Sequence, residues 1–306
     1  MDLLPAGVAF RTPDHRAPAR DRRASRDHRE QDPERKLYLL HEDRVALATT
    51  AGVPLCDPFT RLSTARAGGI AWDSKTNRVF VTDVDRGAVI AIDGGTGAIL
   101  DDEHVTGLTA PTAICTDGRG SLFVGETGTR FTSGRVGRYS VSDRSMAQPP
   151  FMTNLAHPWS LACDRGSLFV GTYHAILECT QLSSTPTVIE RFRYMSSKRG
   201  LAVMPNGDLL VCLTDVGSVV RLDRDGSRPD TISTERGPTS IAVSADGRVY
   251  MSAFSSNGRR RILSARGVRS ADHLSFVLAT DAQQFTLGPV VEPAGPESRS
   301  AEILGN

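Results

Sequence analysis

The sequence predicts an all-β protein, a six-bladed β-propeller of four-stranded antiparallel blades, and three observations predict it. One pattern of small-apolar strand, turn, apolar strand, polar connection and further strand recurs at intervals of about 40–47 residues. Its turns include Asn206-Gly207 and Asp246-Gly247, dipeptides that accept positive φ and close two-residue hairpins. The composition, with 28 glycines and only 6% aromatic residues in a chain of 306, suits short strands and tight turns better than a helical bundle.

Taken from the N-terminus, residues 1–36 read as a disordered Arg-rich tail. They hold nine basic and seven acidic side chains, and beyond Phe10 almost no large apolar residue that would offset the entropy of ordering. Asp14, Asp21, Asp27, Glu30, Asp32 and Glu34 count against a mitochondrial transit peptide, which is poor in acid. The apolar stretch in Met1-Asp2-Leu3-Leu4-Pro5 is too short for a signal peptide. A cytoplasmic location is therefore expected, with organellar import left open. Arg22-Arg23-Ala24-Ser25 resembles a basophilic kinase target, which makes Ser25 a regulatory candidate; the alternative is a chance match in an Arg-rich tail.

The propeller is expected over residues 37–295, with a C-terminal tail at 296–306. In the first blade Lys36-Leu37-Tyr38-Leu39 reads as the second strand, Arg44-Val45-Ala46-Leu47 as the third and Val53-Pro54-Leu55-Cys56 as the outer one. The missing first strand is sought at Gly288-Pro289-Val290-Val291, so that both chain ends close one blade and remove exposed sheet edges. Five complete blades follow over 69–287, opening at Gly69-Ile70-Ala71-Trp72, Pro111-Thr112-Ala113-Ile114, Pro158-Trp159-Ser160-Leu161, Gly200-Leu201-Ala202-Val203 and Pro238-Thr239-Ser240-Ile241. Their second strands are nearly continuous apolar triplets, as expected where both faces are covered. Tyr38, Phe80, Phe123, Phe169 and Tyr250 recur at the middle of that strand and are expected in the core. Val188-Ile189-Glu190-Arg191 and Phe276-Val277-Leu278 are candidates for the outer strand.

Charge and cysteine content narrow the function classes. The 36 Lys+Arg and 35 Asp+Glu leave a formal charge of +1, so no whole-chain field draws the protein onto nucleic acid or an anionic membrane. Arg259-Arg260-Arg261 reads as a solvated strand edge, and a nucleic-acid partner is not expected. No apolar run approaches the roughly 18–20 residues of a membrane-spanning helix. The five cysteines, Cys56, Cys115, Cys163, Cys179 and Cys212, are widely spaced and lack a Cys-x-x-Cys pair. They read as reduced, mostly buried thiols rather than a zinc site or disulfide framework. Met146 to Phe151 reads as a passive insertion in a blade connection.

The repeats resemble NHL-type six-bladed propellers and their relatives, whose pattern is Pro-x-x-Ile-Ala-φ-Asp, an Asp/Asn-Gly turn, a strand like Leu-Tyr-Val, then Ala-Asp. Asp83 and Asp117 stand where that pattern places them. The resemblance covers about residues 37–291 and implies a fold rather than a chemistry. The superfamily it points to holds partner-binding scaffolds, gluconolactonase-like and strictosidine-synthase-like enzymes, virginiamycin B lyase and peptidyl-hydroxyglycine lyase.

In such propellers the loops entering the first strand and those joining the second to the third open at one mouth of the central channel. The first set offers Arg66, His157 with Trp159, Lys198 with Arg199, and Arg236; the second offers Asp83 with Asp85, Glu126, Tyr173 with His174, Asp215, and Phe254 with Asn257. The binding candidates are His157, Trp159, Tyr173, His174, Arg199 and Phe254. A metal-dependent lactonase-like site would use Asp83, Glu126 and Asp215 around a divalent cation such as Ca or Mg, although aspartate at these turns serves equally as a backbone-bonding residue. His157 and His174 read first as turn or surface histidines and second as a lyase-like pair. No Gly-x-Ser-x-Gly elbow, phosphate-binding loop or His-Glu-x-x-His motif occurs. The expected protein is a monomeric, non-catalytic propeller without a cofactor that engages a protein partner or small ligand through one channel mouth. The alternative is a lactonase-like hydrolase or lyase with its site in the channel.

Overall fold

The computed structural model describes residues 8–10, 36–41, 43–50, 53–64, 66–130, 132–142, 150–180, 185–191, 198–227, 230–234, 237–244, 247–254, 260–265 and 277–281. These residues form six four-stranded antiparallel sheets, each a meander of strands consecutive in the chain. Blade 1 holds β1 (Val8–Phe10), β2 (Lys36–Leu40), β3 (Arg44–Thr49) and β4 (Pro54–Arg61). Blade 2 holds β5 (Ala67–Asp73), β6 (Arg78–Asp83), β7 (Ala88–Asp93) and β8 (Ile99–Val105). Blade 3 holds β9 (Pro111–Thr116), β10 (Ser121–Glu126), β11 (Gly134–Ser140) and β12 (Met152–Leu155). Blade 4 holds β13 (Ser160–Asp164), β14 (Ser167–Gly171), β15 (Ala175–Thr180) and β16 (Thr187–Arg191). Blade 5 holds β17 (Lys198–Val203), β18 (Leu209–Leu213), β19 (Ser218–Leu222) and β20 (Asp230–Thr234), with a 3-10 turn at Thr214–Val216 after β18. Blade 6 holds β21 (Ser240–Val243), β22 (Val249–Phe254), β23 (Arg260–Ala265) and β24 (Val277–Asp281). The all-β six-bladed fold and the outer strands expected near Val188 and Val277 are borne out.

The core is divided among the seams between blades. Ile114, Leu122 and Val124 of blade 3 pack against Ala71, Phe80 and Val89 of blade 2. On the opposite face of blade 3, Phe123, Val136 and Met152 meet Leu168, Val170 and Leu177 of blade 4. Equivalent clusters join blades 1 and 2, 4 and 5, and 5 and 6. This two-sided burial is why each second strand is a continuous apolar triplet: neighbouring residues point to opposite faces, and both faces carry a sheet. Each fully buried Leu, Val or Phe contributes about 1.5–3 kcal/mol.

The ring closes where blade 6 meets blade 1, with Leu37, Leu39, Ala46 and Ala48 packed on Tyr250 and Ile262. There the Tyr250 hydroxyl donates to the Thr50 carbonyl at 2.8 Å, across 200 positions of sequence. Tyr38, in the same place in blade 1, donates to the Gly94 carbonyl of blade 2 at 2.5 Å.

Two expectations are corrected. The innermost strand of blade 1 is β1, paired with β2 through Val8↔Leu39, Ala9↔Tyr38 and Phe10↔Leu37, so the position sought for Gly288-Pro289-Val290-Val291 is filled from the N-terminal side. Residues 8–10 therefore belong to the propeller and not to a disordered tail; Ser25, Gly288–Val291 and residues 296–306 lie outside the described residues. The Asn206-Gly207 and Asp246-Gly247 turns are not two-residue hairpins. Met204 N–H donates to Asp208 O and Gly207 N–H to Met204 O, both at 2.8 Å, and Ser244, Gly247 and Arg248 repeat the same bonds. The loops thus have three residues, ending on a glycine with φ of 101° or 82°, the left-handed end of a three-residue hairpin loop.

Candidate functional site

The first strands of blades 2 to 6 line a central cavity of about 310 Å³. Small residues let these strands approach one another near the axis. At Gly200 an added Cβ would lie 2.8 Å from Cys212 Sγ and 3.0 Å from the Ile241 nitrogen, so that position requires glycine. Register fixes which residues share a level. Ala71, Cys115, Ala162, Ala202 and Ala242 pair with the central second-strand residue of their blades, and Ala9 does so in blade 1. Three residues earlier stand Gly68, Thr112, Trp159, Arg199 and Thr239, all on the cavity wall toward the end where the first strands begin.

That end is the entrance named by the sequence. Ala67 pairs with Asp83, and Ser160 with Gly171, so loops entering first strands and loops leaving second strands lie together there. The Trp159 N–H donates to Gly171 O at 2.8 Å and the Tyr173 N–H to Ala156 O at 2.9 Å, which ties the two loops of blade 4. His157 sits between them with φ of 49°, a left-handed conformation that costs a non-glycine residue about 1–2 kcal/mol. Its Nδ1 lies 3.2 Å from the Thr127 carbonyl of blade 3, and its ring is 5.3 Å from that of Trp159. Across the seam to blade 5, the Arg199 guanidinium lies over the Trp159 indole at 4.6 Å, within cation–π range. Tyr173 and His174 meet edge to face at 5.3 Å. Trp159 Nε1 and Thr112 Oγ1 are buried without a hydrogen-bond partner among the described residues. The structure thus groups His157, Trp159 and Arg199 at one entrance, with Tyr173 and His174 on the adjoining loop. Nothing is described of the side chains of Phe254 and Lys198, and Arg236 and Asn257 lie outside the described residues. Arg66 pairs with Asp85 at 3.5 Å on the surface.

The three carboxylates of the alternative reading do not share one setting, and Asp83 Oδ2 is buried without a hydrogen-bond partner among the described residues. Glu126, 1% exposed, accepts from Arg135 Nε at 2.6 Å and Nη2 at 2.9 Å, and from the Thr109 N–H at 2.6 Å. The bidentate pair holds the Arg135 guanidinium above its ordinary pKa. Asp83 is fully buried and its Oδ1 accepts from the Arg86 N–H at 3.0 Å, closing the β6–β7 turn. Asp215 is exposed in the 3-10 turn of blade 5. Among the described residues no three His, Cys, Asp or Glu side chains gather as metal ligands.

Sequence reasoning missed two features of the channel. Thr112 was visible only as part of a repeat. Cys115 and Cys163 are 48 positions apart, yet their sulfurs lie 3.0 Å from each other on the cavity wall.

The class this architecture defines is the six-bladed β-propeller. No protein-family model matches the chain, and no curated protein matches it in sequence. Solved structures do match in fold. A nidogen from a nidogen/laminin complex aligns with 19% identity over 78% of this chain and 84% of its own, at a TM-score of 0.58. Virginiamycin B lyase from Staphylococcus aureus aligns with 14% identity over 86% and 81%, at 0.55. A gluconolactonase from Xanthomonas campestris aligns with 14% identity over 69% and 74%, at 0.54. The expected kinship with lyase and gluconolactonase propellers is borne out as a likeness of fold, and one that spans binding and catalytic proteins alike. Among the described residues no helix is long and apolar enough to cross a membrane.

Proposed function

We propose that the protein is a non-catalytic binding propeller that engages a small ligand or the tip of a partner protein's loop at the Trp159–Arg199 entrance of its channel. The observation that carries this reading is the Arg199 guanidinium stacked on Trp159 at the rim of a cavity of about 310 Å³, a size at the lower end of small-molecule sites. The unpartnered Trp159 Nε1–H and Thr112 hydroxyl support it, since a buried donor without a partner costs about 1–3 kcal/mol that an acceptor-bearing ligand would offset. The left-handed His157 supports it too, because such strain gathers at binding sites. Aromatic and arginine side chains are the usual anchors of recognition surfaces. The ligand chemistry that suits this rim is a carboxylate or carbonyl carried on a flat or apolar body. The fold likeness to a nidogen seen in complex with laminin accords with a protein-binding version.

Thermal-shift titration with a panel of small carboxylates and acidic peptides tests the proposal. A native-state ligand raises the melting temperature, and the rise is expected to disappear in Trp159→Ala and Arg199→Ala. Parallel titrations with Mg, Ca, Mn and Zn address the alternative. A cation-induced rise that vanishes in Asp83→Asn or Asp215→Asn would overturn the binding reading in favour of a metal-dependent enzyme.

A further inference from the structure

The end of the channel opposite the Trp159–Arg199 entrance carries a second feature, independent of the binding reading. Cys115 Sγ on β9 and Cys163 Sγ on β13 lie 3.0 Å apart, inside thiol van der Waals contact and about 1 Å beyond an S–S bond. They belong to adjacent blades and to consecutive levels of the repeat: Cys115 pairs with Phe123, whereas Cys163 pairs with Leu168, one residue past the Ala162–Phe169 pair. Because side chains alternate along a strand, this single-residue offset turns Cys115 toward blade 4 and Cys163 back toward blade 3. Both accordingly join the cluster that fills the blade 3–blade 4 seam.

The fold itself does not call for a thiol at position 115. The other five blades place alanine at that level, as Ala9, Ala71, Ala162, Ala202 and Ala242. Cys115 is buried, whereas Cys163 is half-buried, and both line the cavity. Of the other cysteines, Cys179 shares the seam cluster but does not line the cavity. Cys179 Sγ contacts Met152 Sδ at 3.6 Å, Cys212 is fully buried, and Cys56 is exposed on blade 1.

We propose that Cys115 and Cys163 form a hydroperoxide-oxidisable dithiol, a modification site whose disulfide staples blade 3 to blade 4 at one end of the channel. The more exposed Cys163 reacts first. Its thiolate attacks the peroxide, the O–O bond breaks, and a sulfenic acid forms at Cys163 with release of one water. The Cys115 sulfur then attacks that sulfur, the S–O bond breaks, and the leaving hydroxide departs as water with the Cys115 proton. Two thiols lose two electrons and two protons in total, and one hydrogen peroxide becomes two waters. Burial and the neighbouring Cys163 raise the Cys115 thiol well above its ordinary pKa, so it is not the thiol that meets the peroxide first; what fits it for the second step is its position, 3.0 Å from the sulfur it must attack.

The test treats the intact protein with one equivalent of hydrogen peroxide and follows thiol titre, peptide mass and melting temperature. The expected result is loss of two of the five thiols, a linked peptide pair containing Cys115 and Cys163, and a melting temperature raised by roughly 5–10 °C, all reversed by dithiothreitol. Cys163→Ser, at the half-exposed position, is expected to keep its fold by circular dichroism and to lose both the linkage and the shift. Cys56→Ser and Cys179→Ser keep them. Linkage through Cys56 or Cys179 instead, sulfinic acid at Cys163 without linkage, or an unchanged melting temperature on oxidation would overturn the proposal.

Discussion

The two ends of the central channel are made by the same strands but follow different rules. Where the first strands turn into the second, blades 2 to 4 all carry an aspartate and blade 6 a serine, Ser244, whose hydroxyl accepts from the Arg248 N–H at 3.0 Å. Asp73 Oδ2 accepts from the Thr76 N–H at 2.9 Å, and Asp117 Oδ1 from the N–H groups of Arg119 and Ser121 at 2.8 and 2.9 Å. Asp164 at the same level takes Arg224 Nη1 at 2.7 Å. At the entrance, equivalent positions hold Gly68, Thr112, Trp159, Arg199 and Thr239. A repeat protein is its own control: what the fold demands recurs in each blade, and what departs from the repeat needs another explanation. Recurrence marks frame, whereas Trp159, Arg199 and the thiol of Cys115 are departures.

The strongest challenge to that division is Glu126, which stands near the entrance but belongs to the frame. Glu126→Ala removes the acceptor of the Thr109 N–H and of a bidentate arginine, while water partly resolvates the 38% exposed Arg135. A loss of roughly 2–3 kcal/mol is expected, read as a lower midpoint in urea with unchanged slope. An unchanged midpoint would return Glu126 to the set of side chains available for ligand or metal. Asp117→Ala, at the opposite end, is expected to cost about 1–1.5 kcal/mol through the two turn hydrogen bonds it abandons. If Asp117→Ala also abolished ligand-induced stabilisation, the two ends would not be separable in function.

Tyr250→Phe sharpens the frame side further. Phe80, Phe123 and Phe169 occupy the same level without a hydroxyl, so the ring alone suffices for packing. The hydroxyl at Tyr250 joins chain segments 200 positions apart, and its loss is expected to cost about 1 kcal/mol. The blade 6–blade 1 seam should then show the earliest rise in amide hydrogen exchange. A variant with unaltered exchange at that seam would mean that packing alone closes the ring.

Most of the frame was legible because it repeats. Apolar triplets, turn glycines and the central aromatics follow from two-sided burial, and the blades fall where those signals recur. The first strand was legible as well and was misplaced: Gly7-Val8-Ala9-Phe10 matches Gly69-Ile70-Ala71-Trp72. It was obscured because 25 residues of polar, charge-rich chain separate Phe10 from Lys36, whereas other blades turn within a few residues. The hairpins were misread because Asn-Gly and Asp-Gly serve two-residue and three-residue loops alike, and only the backbone bonds distinguish them. The entrance was legible as a set of loop residues, since strand order alone decides which loops share an end. Its contacts were not, because the Arg199–Trp159 stack and the Cys115–Cys163 pair cross seams between blades, and their geometry depends on how neighbouring sheets are rotated.

The smallest expected change in stability, at Arg199, discriminates best between frame and site. A cation–π contact that keeps part of its surface in water is worth about 0.5–1 kcal/mol, and arginine recurs at this level in none of the other described blades, so Arg199→Ala should lower the unfolding free energy by about that much, read from the urea midpoint. Arg199→Lys retains the charge but loses the planar fork that stacks on the indole. If the entrance recognises a carboxylate through charge alone, lysine preserves ligand-induced stabilisation and alanine abolishes it. If the stack itself orients the ligand, lysine fails as alanine does. Should both variants unfold markedly earlier than the native chain, Arg199 would be a frame residue after all, and the division between the two ends of the channel would have to be redrawn with the entrance on the structural side.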